Sequence, residues 1–284
     1  MSVTVYAPAK INLTLDVVGA REDGYHLLES IFQAVDRYDT VTAAKADTIT
    51  LDAEDCGCPM EKNTAYKAAV AFFAATGIGG GVHLTLQKRI PQQAGMGGGS
   101  ADAAGVLVAL NTLYETNLTT AQLCEIGLTV GADVPFCIVG GTAYVTGIGE
   151  GLQTLPALPD CAIVVAQPAE GISTKEAYAA VDHADILARP DNAAAITALE
   201  RGDLAGVCAQ AVNVFEAATQ LEGVKDIRRR MEQHNPLCSQ MTGSGSCVFA
   251  IFEDDASAQA CLAELQTRYP TAFVCRPCGG VVVE

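Results

Sequence analysis

Tryptophan is absent from this 284-residue chain, and aromatic residues make up only 6% of it. Half of the residues are apolar, so a sizeable core must be built mainly from aliphatic side chains and alanine. Cations are scarce as well: 17 Lys and Arg stand against 33 Asp and Glu, a net charge of −16. Such a surface repels nucleic acid and anionic lipid, so neither is expected as a partner. An anionic phosphate compound would have to be attracted locally, by backbone amides, a few cations or a metal ion. No apolar run reaches about 18 residues without a charge or turn, so no membrane-spanning helix is expected. The opening "MSVTVYA" has neither the basic segment nor the long apolar one of a secretory signal. The eleven cysteines are odd in number and irregular in spacing, and read as free buried thiols in a reducing cytoplasm. Cys56-Gly-Cys58 lies in a polar loop. Cys275-Arg-Pro-Cys278 sits on an apparent terminal strand with no helix after it, so neither pair is expected to bind metal or cycle redox. H-E-x-x-H, G-x-S-x-G and zinc spacings are all missing, which removes support for metalloprotease and common serine-hydrolase chemistry.

What the chain does have is period. Residues 9–17, "AKINLTLDV", alternate strictly, with Lys10, Asn12, Thr14 and Asp16 on the polar side; this predicts a half-buried strand. Further strand is expected over 28–44 and 48–52, and an alanine-striped helix from Asn63 to Thr76. "VHLTLQKRIP" predicts a second alternating strand, and residues from about Ser100 to Leu113 an apolar, buried helix. Thr119 and Thr120 can cap another helix, and 136–147 looks like a strand pair around Gly140–Gly141. "LPALP" at 155–159 is the best domain boundary, giving an expected division into 1–155 and 156–284. The second part predicts a strand at "AIVVAQP", helices at 173–182, 191–200, 203–218 and 221–233, then strand "CVFAIF", helix 255–268 and strand "AFVCRP". That order suggests an α+β sandwich.

Three glycine-bearing stretches carry the chemistry. "QQAGMGGGSADAAG" places Gly95, Gly97, Gly98 and Gly99 before Ser100 and a helix. Bare N–H groups at a helix start form an anion nest, and Ser100 could cap the helix or touch a phosphate. The alternative is a turn that lets a buried helix pack closely. The stretch is no P-loop, because G-K-[ST] is missing, and the G-x-G-x-x-G pattern fails too. Asp133 in "GADVPF" reads as a turn or cap residue, or as an acid in a site. "MTGSGSCVF" either closes over a ligand or is a hairpin turn. Lys10 and Asn12, roughly 7 Å apart on one strand face, are either a solvated edge or a polar site.

Order and spacing together are specific. "APAKINLTLDVVGAREDGYHLLES" at 7–30, "KRIPQQAGMGGGSADAA" at 88–104 with "GADVPF" at 131–136, and "MTGSGSCVFAIF" at 241–252 resemble the GHMP kinases over essentially the whole chain. Within them, "PAKINL" followed by "DGYH" looks like the branch that takes a small-molecule cytidylyl substrate. The resemblance implies a two-lobed α+β fold, with a ribosomal-protein-S5-like N-terminal lobe and a ferredoxin-like C-terminal lobe. It implies ATP held by Gly95, Gly97, Gly98, Gly99 and Ser100 through amides and the helix dipole. Mg²⁺ would bridge phosphate oxygens, with no protein ligand assigned to it. Asp133 would accept the proton of the substrate hydroxyl, and Lys10 would stabilise charge on the transferring group. Asn12 would help to position the substrate. Tyr25 and His26 would bind the base, with Tyr178 as the opposing ring. Three residues depart from the commoner family pattern: Gln93 where glycine is usual, Met96 where leucine is usual, and Ala101 where a second serine is usual. A cytoplasmic protein is expected, as either a monomer or a homodimer. Two rivals stay open: a kinase of another small alcohol such as homoserine or mevalonate, and a non-catalytic nucleotide or sugar sensor on the same fold.

Overall fold

A computed structural model of the chain describes residues 1–22, 24–53 and 58–284. Cys56 of the Cys56-Gly-Cys58 pair and Asp23 of "DGYH" therefore lie outside the described residues. The fold begins with a long antiparallel hairpin, β1 (Ser2–Ala20) and β2 (His26–Ala46). Register shifts at Pro8/Ala9, Asn12/Thr14 and Val17/Gly19 let the pair bend. There follow β3 (Thr50–Ala53), α1 (Thr64–Thr76), β4 (Gly81–Gln87), α2 (Gly98–Leu113), α3 (Thr120–Leu128) and α4 (Val134–Val139). The hairpin β5 (Thr142–Gly147) and β6 (Gly151–Thr154) completes this part. β2 is long enough to pair with β5 through Leu28–Gln33 and with β4 through Thr40–Ala46.

The chain continues through β7 (Ala162–Ala166), α5 (Thr174–Val181), α6 (Asn192–Glu200), α7 (Leu204–Cys208) and α8 (Glu222–Glu232). It ends with β8 (Cys238–Met241), β9 (Val248–Phe252), α9 (Asp255–Gln266), β10 (Ala272–Cys275) and β11 (Val282–Val283). An antiparallel sheet in the order β10-β7-β9-β8 forms the second layer system, while β11 returns to pair with β1. Every residue of β7 and β9 is buried, because both faces of this sheet are covered. Ile163, Val165, Phe249 and Ile251 join the larger core; Val164, Ala250 and Phe252 join a second one with Val224 and Ile227 of α8 and Leu265 of α9. Fully burying each such large side chain is worth roughly 1.5–3 kcal/mol.

Local signals placed several elements well. Asn63 caps α1 by accepting from the Ala65 N–H, and Thr119 with Gln122 forms a capping box on α3. The near-continuous burial of α2 also holds, and its small residues have a purpose. At Gly105 a Cβ would come within 2.9 Å of Val41, so the helix crosses the sheet closer than alanine permits.

Other expectations need correction. β1 is not half-buried: from Ala7 to Asp16 every residue is buried, the polar face included. Residues 134–139 form α4 rather than the first strand of a pair. The helix expected over 203–218 is broken: α7 ends at Cys208, and a separate 3₁₀ turn spans Val214–Ala217. β8 carries no clear period-2 signal and was missed. The Cys275–Cys278 segment is followed by β11, so it is not terminal. Both of these thiols are free, and burial pushes Cys278 up to about 11 and Cys275 well above the ordinary thiol range. Among the described residues no helix is long and apolar enough to cross a membrane.

Candidate active site

Lys10 and Asn12 of β1 form the floor of a cleft of about 1370 Å³, while Thr14 and Asp16 farther along the same face are covered by Asn192 and Arg189. The opposite walls are the glycine loop before α2, the start of α4, the α5 region and the β8–β9 turn. Every residue named above for ATP, substrate or catalysis lines this one cleft: Lys10, Asn12, Tyr25, His26, Gly95 through Ser100, Asp133 and Tyr178.

Lys10 sits at its centre. The side chain is 5% exposed and its Nζ donates to Asn12 Oδ1 at 2.8 Å. The ammonium lies 3.6 Å from Asp133 Oδ2 and 4.7 Å from the centroid of the Phe32 ring. Asn12 in turn donates through Nδ2 to Ser30 Oγ, so its amide orientation is fixed. Asp133 occupies the N-cap of α4 yet makes no capping bond with its side chain. Its carboxylate is spent instead on Lys10 and the cleft.

The glycine loop is shaped by what surrounds it. A Cβ on Gly95 would stand 2.0 Å from Thr242 O, and one on Gly97 would stand 3.0 Å from Lys10 Cγ; both have φ near +70°. Gly97, not Ser100, is the N-cap of α2, and no side chain caps this helix. Ser100 lies inside the first turn, which corrects the expected capping role. The first N–H groups of α2 thus have no side-chain cap among the described residues and form an anion nest at the cleft wall. Gln93 adopts φ of 51°, a left-handed conformation that glycine takes without cost. Met96 and Ala101 are 1% and 0% exposed and pack into the core, Met96 also reaching the cleft wall.

The "MTGSGS" stretch is a hairpin turn between β8 and β9 and also a wall of the site. Thr242, fully buried, accepts from the Asn12 N–H at 3.0 Å and lies 3.4 Å from Gly95 O. It ties β1 to the glycine loop. Sequence reasoning missed Thr242, and it missed Lys88. Lys88 pairs with Asp39 and, at 2.5 Å, with Asp102, while its Nζ is 3.4 Å from Gly98 O. The signal was the "QKRIP" ahead of the glycines, which read simply as the end of a strand. Lining the cleft among the described residues are four lysines (10, 62, 88, 175) and three aspartates (102, 133, 182). Cations that are scarce in a chain of charge −16 are thus gathered at this cleft, although Lys10 and Lys88 are paired there with aspartates.

Asp102 turns inward from the start of the second turn of α2, and its Oδ1 is buried without a partner among the described residues. Burial pushes its carboxyl up to about 7; the Lys88 ammonium pulls the other way, and Asp39 adds to the rise. Unfolded, this group loses its proton near 4. Between about pH 4 and 7 the native state holds the extra proton, so stability falls as pH rises through that window. Asp102→Asn is expected to flatten the slope, as read by urea unfolding of both proteins at pH 5 and pH 8. Equal slopes in the two would refute the assignment.

At the other end of the cleft, the Tyr178 ring stacks directly on His26, with centroids 4.5 Å apart and planes at 26°. Phe215 braces Tyr178 edge-on at 4.9 Å. Burial, with the Asp133 charge added, raises the Tyr178 phenol, so it stays neutral. Tyr178 therefore backs His26 rather than standing across a base from it; these two rings are too close to admit a third. Tyr25 is 61% exposed beside them.

Comparison with known proteins agrees with this geometry. The GHMP kinase N-terminal domain matches residues 63–141, and the GHMP kinase C-terminal domain matches residues 195–271. A 4-diphosphocytidyl-2-C-methyl-D-erythritol kinase of Clostridium tetani is 40% identical over 274 residues, 95% of this chain and 98% of that protein. One of Caldicellulosiruptor bescii is 40% identical over 279 residues, covering 96% and 98%. Among solved structures, a 4-(cytidine 5'-diphospho)-2C-methyl-D-erythritol kinase superposes with a TM-score of 0.82 at 34% identity, over 98% of this chain and all of that one. A homoserine kinase from Cytophaga hutchinsonii shares the fold alone, with a TM-score of 0.78 at 20% identity and coverage of 100% and 97%. With relatives this similar along almost its full length and both domains matched, the chain belongs to the GHMP kinases.

Proposed function

We propose that this protein is a 4-diphosphocytidyl-2-C-methyl-D-erythritol kinase, which transfers the γ-phosphoryl group of ATP to the 2-hydroxyl of that alcohol in the non-mevalonate route to isoprenoid precursors. The observation that carries the reading is one cleft holding a Lys10–Asp133 pair beside a glycine nest at one end and an aromatic, polar base site at the other. ATP and the cytidylyl substrate meet there, between an N-terminal lobe of residues 1–155 and a C-terminal lobe of residues 156–284. The reaction takes place in the cytoplasm.

Asp133 Oδ2 accepts the proton as the substrate oxygen attacks the γ-phosphorus; the new O–P bond forms while the bridging β–γ bond breaks, and ADP leaves. Lys10 stabilises the charge on the three equatorial oxygens, and Asn12 holds the Lys10 ammonium in place. The N–H groups at the start of α2 take the triphosphate. The cradle suits it, since a Cβ at Gly95 or Gly97 would strike Thr242 or Lys10. The donors beside it, Ser100 Oγ and the Asp133 carboxylate, are hard oxygens that suit Mg²⁺. When bound, Mg²⁺ neutralises phosphate charge.

The test is a single assay of purified protein with Mg-ATP and the cytidylyl substrate, read for ADP and for product mass. Homoserine and mevalonate serve as competing acceptors, and CMP as a competing ligand. Product from the cytidylyl alcohol, inhibited by CMP, supports the reading. Phosphorylation of homoserine or mevalonate in its place, or ATP binding without transfer to any acceptor, refutes it.

A further inference from the structure

The proposed base site contains a side chain held by a carboxylate as well as by packing. His26 opens β2 with its side chain 15% exposed, and its Nε2 lies 2.7 Å from Asp182 Oδ1. Asp182 is the C-cap of α5, and Tyr178 lies one turn earlier on the same helix. Residues four apart share a helix face, so α5 delivers both the stacking ring and the carboxylate to one imidazole. A capping box of Ser173 and Glu176 fixes the other end of α5.

An ionised carboxylate only accepts hydrogen bonds, so the Nε2 beside it carries the proton. In the neutral ring Nδ1 then holds a lone pair and is an acceptor only. One face of His26 is covered by Tyr178, and a hydrogen bond from a base to the ring nitrogen is made at the ring edge. On cytosine, N3 and O2 are acceptors and the 4-amino group is the donor. An acceptor-only nitrogen must pair with that amino group. Uracil offers O4 there, and two lone pairs would face each other.

We infer that Asp182 is a positioning residue for base selection: by accepting the Nε2–H of His26, it sets the tautomer whose Nδ1 reads the 4-amino group, so that the enzyme takes a cytidylyl alcohol and rejects its uridylyl analogue. This rests on the proposed reaction. Asp182 is half-exposed, with 49% of its side chain accessible, so the nucleotide need not touch it. Lys10 and Asp133 belong to the phosphoryl end of the same cleft, so the base end can be altered separately.

The experiment compares the wild type with Asp182→Ala on both the cytidylyl substrate and its uridylyl analogue. Removing the acceptor is expected to raise KM for the cytidylyl substrate by about tenfold, more than it lowers kcat, and to cut the preference for cytosine over uracil by at least about tenfold. Nitrogen-15 spectra of His26 are the second readout. The wild type should show the proton on Nε2, and the variant a mixture of tautomers. A looser pocket alone would weaken both substrates equally and leave the ratio unchanged. An unchanged ratio, or a wild-type spectrum with the proton on Nδ1, overturns the inference while leaving the kinase reading intact. A wild type that phosphorylates neither nucleotidyl alcohol defeats the kinase reading and the inference together. Circular dichroism of the variant confirms that α5 remains folded.

Discussion

Asp133→Asn is expected to lower kcat by about 10²- to 10⁴-fold, the usual worth of a general base, with thermal unfolding little changed. The side chain makes no capping bond to α4, and its ion-pair partner is Lys10 at 3.6 Å. Asparagine has the same shape and keeps a polar contact to Lys10, so the fold loses almost nothing. It cannot take a proton from the attacking hydroxyl. Since the proposed ATP and base sites, the glycine nest and the far end of the cleft, are left intact, KM for either substrate should move much less than kcat. Steady-state kinetics with a product-mass readout decide the matter. A variant turning over at the wild-type rate would show that the proton leaves by another route.

Lys10→Met is expected to cost a comparable factor, about 10²- to 10³-fold in kcat, because it removes the charge proposed to face the transferring group. Methionine keeps an apolar stem over Phe32, which alanine would not. Comparing the two variants separates packing from charge. Lys10→Ala should lose stability, by about 1–3 kcal/mol, through the vacated contact, while Thr242 Oγ1 at 3.3 Å remains as a donor to Asn12 Oδ1. Lys10→Met should lose less. Both should lose similar activity. If they act as a unit, Lys10→Met combined with Asp133→Asn will cost far less than the product of the single effects. Fully multiplicative losses, or wild-type turnover by Lys10→Met, would mean that Lys10 and Asp133 do not serve one transition state.

Much of this site was legible in the sequence because its parts lie on strongly periodic or strongly punctuated stretches. The strict alternation of 9–17 put Lys10 and Asn12 on one face, and the structure joins them by a 2.8 Å hydrogen bond. The glycines before α2 marked a helix start with open N–H groups, and Gly97 is its N-cap. Lys88 was illegible because its partners, Asp39 and Asp102, come from β2 and α2, and only packing brings the three together. The same holds for Thr242, whose hydroxyl lies against Asn12 of a distant strand.

Composition and local pattern by themselves determined the aliphatic core, the caps of α1 and α3, the glycine nest and the side of β1 that carries the charge. Those features depend on neighbours a few residues away, which a single chain displays. Whether the charged side of β1 faces water or a cleft depends on what covers it, and alternation reads the same in both cases. Only the tertiary structure decided that this face is buried, that Asp133 ends 3.6 Å from Lys10, and that α5 brings Tyr178 and Asp182 onto His26. Such contacts join segments whose separation in sequence bears no relation to their separation in space. The chemistry of the cleft resides in those contacts.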